Sequence, residues 1–178
     1  MVSIEEQVGK LLEQVRFFRR SNEYTEAWMR LREAYDLCPS DSDDLLGRLH
    51  AMEGQLYRDD GQLQKATILY QKALTHFQSE KRSLKQAHTL RHLAEMEDEL
   101  GHVDIAQNYL EQCQSIYAGL PQTSPMDLAN FYRVYALFLE KNQATEPKAH
   151  ALWVQARDIY SEYGIEEGVK ECDDHLNS

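Results

Sequence analysis

The sequence predicts an all-α protein made of four helix pairs followed by a short C-terminal helix. A motif of small and large apolar residues recurs four times, at intervals of 39, 40 and 43 residues. Glycine or asparagine, the residues that most readily end a helix, recurs at matching positions between the copies. Only 4 prolines and 8 glycines occur in 178 residues, which disfavours a loop-rich or all-β architecture. Repetition at this period indicates stacked helical repeats.

The recurring motif marks the second helix of each pair. It consists of an alanine, three residues, a large apolar residue, two residues and a small residue. Its copies begin at Ala27, Ala66, Ala106 and Ala149. The spacings i, i+4 and i+7 place the three residues on one face of an α-helix. Small residues at both ends of that face allow a neighbouring helix to approach closely, so each copy predicts a packed helix.

The first helix of each pair is centred twelve residues upstream of the motif. The central residues of the first three are Val15, Gly54 and Ala94, each within an amphipathic stretch. Seven residues later comes a residue suited to the left-handed conformation that ends many helices. These three residues are Asn22, Gly61 and Gly101. Each repeat is therefore predicted to be a helix, a tight turn and a second helix.

We expect a single domain over residues 1–178, with repeats at 3–39, 42–79, 81–120 and 125–163 and a cap helix over 165–177. The proline-containing segment 121–125 separates the last two repeats clearly, whereas segment 79–82 marks its boundary more weakly. In the fourth repeat the spacing between the two helices is one residue longer, with Ala136 as the small residue of the first helix and Asn142–Gln143 near the turn. Gly164 ends the last long helix, and the polar residues after it suit an end cap.

The chain is strongly acidic, with 19 Lys and Arg against 30 Asp and Glu and a net charge of −11. This argues against binding nucleic acid, which needs a broad basic face, and against docking on an anionic membrane. The N-terminus lacks the features of a secretory signal, and no stretch is apolar enough for a membrane span. Cys38, Cys113 and Cys172 are too widely spaced for a disulfide framework, so we expect reduced thiols and a cytoplasmic location.

The pattern resembles the tetratricopeptide repeat, whose motif reads W-x2-L-G-x2-Y, then A-x3-F-x2-A, then P. The second repeat matches best, through Gly54, Tyr57, Gly61, Ala66, Tyr70 and Ala73. The first repeat supplies Ala27, Leu31, Ala34 and Pro39 at the expected offsets. The repeats are longer than the usual length of about 34 residues. The motif tryptophan is also replaced, by Leu11, His50 and Leu90.

The resemblance implies a right-handed superhelix whose first helices line a concave groove that binds a peptide or a partner's helix. Such proteins rarely catalyse reactions, so it also implies a non-catalytic scaffold or adaptor without a cofactor. Some related proteins hold a chaperone tail with a clamp of Lys and Asn residues. At the matching positions this chain has Leu12, Arg16, Met52, His88 and His92, of which only Arg16 keeps a suitable basic group, so that role is disfavoured.

The groove positions implied by the family are rich in arginine. The family implies 24 groove positions, which hold seven of the chain's 11 arginines but only one of its 8 lysines. The formal charges at these positions sum to +2, whereas the rest of the chain carries a net charge of −13. The planar fork of arginine meets a carboxylate with two parallel hydrogen bonds. We therefore expect the groove to bind an acidic segment or a C-terminal carboxylate of a protein partner. The candidate residues are Arg16, Arg19, Arg48, Gln55, Arg58, His88, Arg91, His92, Asn130 and Arg133.

Three alternatives remain open. The groove arginines could instead pair with acids on neighbouring helices, such as Glu13, Asp59 and Glu95. His88 and His92 stand four residues apart and could hold a metal in an enzyme's site, but no H-E-x-x-H motif is present and two surface histidines are the simpler interpretation. The first helix carries an apolar stripe that could form a homodimer; it consists of Val8, Leu11, Leu12, Val15, Phe17 and Phe18.

Overall fold

The computed structural model describes residues 2–142 and 146–177, and every helix or strand in those ranges is an α-helix. The helices are α1 (Ile4–Arg20), α2 (Tyr24–Leu37), α3 (Asp43–Asp59), α4 (Leu63–Ser79), α5 (Ser83–Glu99), α6 (Val103–Ala118), α7 (Pro125–Lys141), α8 (Glu146–Glu162) and α9 (Glu166–Leu176). The predicted all-α architecture is confirmed. None of the helices in these ranges combines the length and the apolar character that crossing a membrane requires.

Consecutive helices pack together as pairs. α1 packs against α2, α3 against α4 and α7 against α8, and α9 then packs against α8. The chain divides into two compact units, which we call the N-terminal half (Met1–Thr89) and the C-terminal half (Leu90–Ser178). The division falls within α5, so the single domain expected from the sequence stays a prediction.

We call the first helix of each pair its leading helix. The leading helices α1, α3 and α5 are followed by left-handed residues where the sequence predicts them. Asn22, Gly61 and Gly101 have φ angles of 60°, 72° and 83°. The residue after each donates a backbone hydrogen bond of 2.8 or 2.9 Å to a carbonyl five residues earlier, which satisfies the exposed end of the helix. Gly164 ends α8 in the same way, with φ of 68°. The turn predictions for these four positions are confirmed.

The connection between α4 and α5, which the sequence marks only weakly, uses the same turn. Lys81 adopts φ of 54°, and Arg82 donates to the carbonyl of Phe77 at 2.8 Å. A residue with a Cβ crowds its own backbone in this conformation. After α7, Asn142 keeps φ of −98° and does not form a left-handed turn, while Gln143, expected beside it, lies outside the described residues.

Small residues allow the helices of the N-terminal half to approach closely. Both small positions of each motif copy are fully buried there, namely Ala27, Ala34, Ala66 and Ala73. A Cβ on Gly54 of α3 would stand 2.8 Å from the ring of Tyr70 on α4. Two turns earlier, a Cβ on Gly47 would stand 2.6 Å from the ring of Phe77. Two glycines on one face of α3 thus accommodate two aromatic rings of α4.

The motif also forms the core of the C-terminal half. Its small positions are again buried, namely Ala106, Cys113, Ala149 and Ala156. Trp153, the large residue of the fourth copy, is 1% exposed, and its indole Nε1 donates to Glu140 Oε1 at 2.6 Å. In the N-terminal half, Trp28 stays partly exposed and meets the ring of Tyr57 edge to face, with centroids 5.1 Å apart.

Candidate partner-binding face

The ten candidate residues lie on four leading helices. Arg16 and Arg19 are on α1, Arg48, Gln55 and Arg58 on α3, His88, Arg91 and His92 on α5, and Asn130 and Arg133 on α7. The first six belong to the N-terminal half and the other four to the C-terminal half. The two sets are therefore parts of different compact units.

Arg19 and Gln55 take part in a polar network between α1, α3 and α4. Arg19 Nη1 lies 2.9 Å from Asp59 Oδ2. Gln55 Nε2 donates to Asp59 Oδ1 at 2.9 Å, and Gln55 Oε1 accepts from the hydroxyl of Tyr70 at 3.1 Å. The internal pairing considered for Asp59 is present, and it engages both candidate side chains.

Arg16 and Arg48 differ from Arg19 in their contacts. Neither makes a hydrogen bond or ion pair with any residue in the ranges 2–142 and 146–177. Arg48 reaches from α3 to α1, where its Nη2 lies 3.6 Å from the place a Cβ on Gly9 would take. Burial lowers the pKa of Arg16, and the charge of Arg48 lowers it further, against the opposing effect of Glu13. Two like charges are thus held close together without a counter-charge in contact.

The arginines of the C-terminal half are paired. Arg133 Nε and Nη2 donate to the two carboxylate oxygens of Glu171 on α9 at 2.6 and 2.7 Å, and this pair raises the pKa of Arg133. Arg91 Nη1 lies 3.7 Å from Glu95 Oε2, and His92 Nδ1 lies 3.1 Å from the same oxygen. Internal pairing therefore accounts for Arg91 and Arg133.

The remaining candidates also have contacts. Asn130 Oδ1 accepts from the hydroxyl of Tyr160 at 3.0 Å. Arg58 is partly buried and His88 is exposed, and each interacts with other residues. In the part of the chain that the structure describes, no group of three or more His, Cys, Asp or Glu residues is arranged to hold a metal ion. His88 and His92 therefore have no third ligand in that part of the chain.

Among the described residues, Asp44–Lys85 joins α3 to α5, and three further ion pairs join helices one repeat apart. Of the acids in those three pairs, only Asp59 was singled out from the sequence. Arg19–Asp59 joins α1 to α3, Asp98–Lys141 joins α5 to α7 at 2.8 Å, and Arg133–Glu171 joins α7 to α9. The partners are separated by 40, 43 and 38 residues, close to one repeat length. Opposite charges one repeat apart are the sequence signal that could have found these pairs.

An open cavity of about 720 Å³ lies between α2 and α3. It is lined by Thr25, Trp28, Met29, Leu31, Arg32, Tyr35 and Glu53. The hydroxyl of Tyr35 donates to Glu53 Oε2 at 2.7 Å, and Met29 is 51% exposed. Sequence reasoning missed this cavity because most of its residues lie outside the repeat motif.

The comparisons with known proteins agree with this architecture. Residues 49–118 match the family model of the tetratricopeptide repeat. None of the curated proteins matches the chain. Among solved structures, aspartyl phosphate phosphatase F from Bacillus subtilis is similar over 97% of this chain and 45% of its own, with a TM-score of 0.81 at 15% identity. This chain therefore spans less than half of that protein.

Two further structures are similar along nearly their whole length. BtubC (BKLC) from P. vanneervenii has a TM-score of 0.62 at 15% identity, with 99% of this chain and 91% of that one covered. A kinesin-light-chain-like protein of Podosopora anserina with nearly identical TPR-like repeats has a TM-score of 0.63 at 18% identity, with 99% and 96% covered. At such low identities these similarities show the fold alone.

The helix pairs, their glycine and asparagine turns and their buried small residues define the class as a helical repeat protein. The match of residues 49–118 to the tetratricopeptide repeat, together with the shared fold of the similar structures, agrees with the resemblance of the sequence motifs. Folds of this kind generally mediate interactions between proteins.

Proposed function

We propose that the chain is a non-catalytic interaction module that binds an acidic segment of a partner protein, with Arg16 and Arg48 at the centre of its binding face. The observation that carries the proposal is the difference among the arginines. Arg16 and Arg48 make no ion pair with the described residues, whereas Arg19, Arg91 and Arg133 do. A paired arginine must lose its internal partner before it binds another, so the unpaired ones are better suited to a ligand.

The charge distribution supports an acidic ligand. Two guanidinium groups that repel each other are stabilised by a carboxylate placed between them. The whole chain carries −11, so a positive face on α1 and α3 is a local exception in an acidic molecule. Such an exception favours one orientation of an acidic segment, and the surrounding acidity repels acidic proteins that do not fit.

Affinity capture from a cell lysate, read by mass spectrometry, tests this proposal. The double variant R16A/R48A is compared with wild type and with R30A/R32A, which removes the same charge from α2 outside the candidate set. We expect R16A/R48A to lose the captured partners and R30A/R32A to keep them. Unchanged capture by a folded R16A/R48A protein would contradict the proposal, and circular dichroism establishes that each variant is folded.

The other candidates stay predictions as partner contacts. These are Arg19, Gln55, Arg58, His88, Arg91, His92, Asn130 and Arg133. We also propose a cytoplasmic location, because the wide spacing of Cys38, Cys113 and Cys172 predicts thiols, which persist in reducing compartments.

Self-association through the first helix is the alternative function. The apolar stripe that suggested it is mostly used inside the molecule, since Val8, Leu12 and Val15 are completely buried. Phe17 is 64% exposed and is the observation that favours a second copy.

A further inference from the structure

We propose that the acidic group bound at Arg16 and Arg48 is the phosphate of a phosphorylated serine or threonine in the partner segment. This inference rests on the proposed function, because it concerns the same face and names the chemistry of its ligand.

Arg16 of α1 and Arg48 of α3 lie close enough for the charge of Arg48 to act on Arg16. Arg48 lies against Gly9, 3.6 Å from where its Cβ would stand. Arg16 follows Gly9 by two turns on the same face of α1, and side chains on a helix lean toward its N-terminus. The head of Arg16 therefore leans back toward the surface over which Arg48 lies. Because Gly9 has no side chain, the Arg48 guanidinium can lie against the backbone of α1 at this point.

The local charge suits a dianion better than a single carboxylate. Arg16, Arg48 and Arg20 contribute three positive charges and Glu13 one negative charge, which leaves +2. Glu13 acts on Arg16 from a distance and makes no ion pair with it. One carboxylate carries a charge of −1 and two oxygens, which match the planar fork of one arginine. A phosphate monoester carries a charge of roughly −1.5 to −2 and three acceptor oxygens, so it can bind both guanidinium groups at once.

Two adjacent carboxylates could supply the same charge, and they differ from phosphate in their titration. The second pKa of a phosphate monoester is about 6, so its charge falls between pH 7.5 and pH 5.5. Glutamate side chains, with a pKa of about 4.3, stay ionised over that range. Phosphate groups of nucleic acid and lipid are less suitable ligands, because binding them requires a broad basic face that a chain of net charge −11 lacks.

Fluorescence polarisation with four degenerate peptide libraries tests the inference. Each library has nine positions, and the centre is phosphoserine, serine, glutamate or a Glu-Glu pair. The full chain is compared with R16Q, R48Q and E13Q, and with R32Q as a control that removes an exposed arginine of α2. Thermal unfolding of each variant establishes that any loss of binding is not a loss of fold.

We expect the phosphoserine library to bind at least about tenfold more tightly than the serine and glutamate libraries, because charge-assisted bonds form to both arginines. R16Q and R48Q should each remove most of that preference, R32Q should keep it, and E13Q should strengthen it. Binding of the phosphoserine library should also weaken about threefold from pH 7.5 to pH 5.5, as the phosphate gains a proton.

Equal binding of the Glu-Glu and phosphoserine libraries, both sensitive to R16Q, would overturn the phosphate inference and leave the proposed function intact. A phosphoserine preference that persists in R16Q and R48Q would overturn the inference at this site. Absence of binding by every library would overturn both the inference and the proposed acidic ligand.

Discussion

The backbone conformation of Lys81 is one that a residue with a Cβ rarely adopts. Its φ of 54° belongs to the region that glycine occupies at the corresponding turns, at Gly61 and Gly101. A residue with a Cβ costs about 1–2 kcal/mol there, and the greater flexibility of unfolded glycine offsets part of this. We expect Lys81→Gly to raise the free energy of unfolding by roughly 0.5–1 kcal/mol.

Urea unfolding of Lys81→Gly beside Lys81→Ala checks this expectation. The alanine variant removes the charge and the long side chain but keeps the Cβ, so it should differ from wild type by only a few tenths of a kcal/mol. Equal stability of the two variants would show that the backbone of Lys81 is not strained.

His50 should make the stability of the N-terminal half depend on pH. Burial lowers the pKa of His50 to about 4, and the charges of His76 and Lys72 add to this shift. Its Nδ1 is buried and has no hydrogen-bond partner among the described residues, and the ring of Tyr35 covers one side at a centroid distance of 6.1 Å. The folded state thus resists a proton that the unfolded state accepts near pH 6.5.

Stability rises with pH wherever the unfolded state binds more protons, so the protein loses stability as the pH is lowered. The loss begins as the pH drops below about 6.5 and is complete near pH 4. Since His50 is only partly buried, we expect roughly 1 kcal/mol of loss from this group between pH 7 and pH 5. Asp43, which lies 2.7 Å from His76, has a lowered pKa, so its protonation affects stability only at more acidic pH.

Urea midpoints at pH 7 and pH 5, for wild type and His50→Gln, measure this contribution. The variant should lose less stability on acidification than wild type, because the other histidines are common to both proteins. An equal loss in the two proteins would assign the pH dependence to groups other than His50.

At the scale of the elements, the approach of α3 to α4 depends on Gly54. A Cβ there would stand 2.8 Å from the Tyr70 ring and 3.3 Å from the carbonyl oxygen of Ala66. We expect Gly54→Ala to lower the free energy of unfolding by about 1–3 kcal/mol through overpacking, although alanine is the better helix former. Gly9→Ala is the matched control, because its Cβ would meet only Arg48 at 3.6 Å.

The two alanine variants should therefore differ in the sign of their effect on the free energy of unfolding. Gly9→Ala should be neutral or stabilise by up to about 1 kcal/mol, as expected for glycine replaced within a helix. Chemical unfolding of both proteins makes the comparison, and destabilisation of both alike would mean that close packing against α4 is not the special property of Gly54.

The last helix, α9, is attached through one close contact and a group of polar contacts. A Cβ on Gly168 would stand 2.7 Å from the ring of Tyr160. His175 stacks on Trp153 with centroids 4.2 Å apart, and its Nδ1 lies 2.8 Å from Glu140. We expect Gly168→Ala to displace α9 and to raise amide hydrogen exchange in residues 166–176 about tenfold, while α3 and α4 stay protected.

Lys170→Ala provides the control for this experiment, because Lys170 is exposed on the same helix. Its exchange in α9 should match wild type. If Gly168→Ala leaves α9 as protected as the control does, the helix is not held by its approach to Tyr160.

At the scale of the whole molecule, the sequence predicted the features that depend on local rules. Helix pairs follow from periodic small and apolar residues, and the turns follow from the backbone freedom of glycine and asparagine. It could not separate Arg16 from Arg19, because both are predicted groove positions on one helix. Their difference depends on the facing helix one repeat later, where Asp59 pairs with Arg19. Side-chain pairing of this kind depends on the packing of distant segments, which a single local pattern does not contain.

The same dependence on packing decides how much apolar surface remains for a second copy of the chain. Val8, Leu12 and Val15 are completely buried within the molecule, which leaves Phe17 as the exposed large residue among the six of the stripe. A specific dimer buries about 800 Å² on each partner, whereas one aromatic side chain supplies roughly 150–250 Å². We therefore expect a monomer of 20.7 kDa by light scattering at all concentrations. A dimer that dissociates in Phe17→Ser but persists in Ile68→Ser, which changes a similarly exposed residue of α4, would instead establish self-association through the first helix.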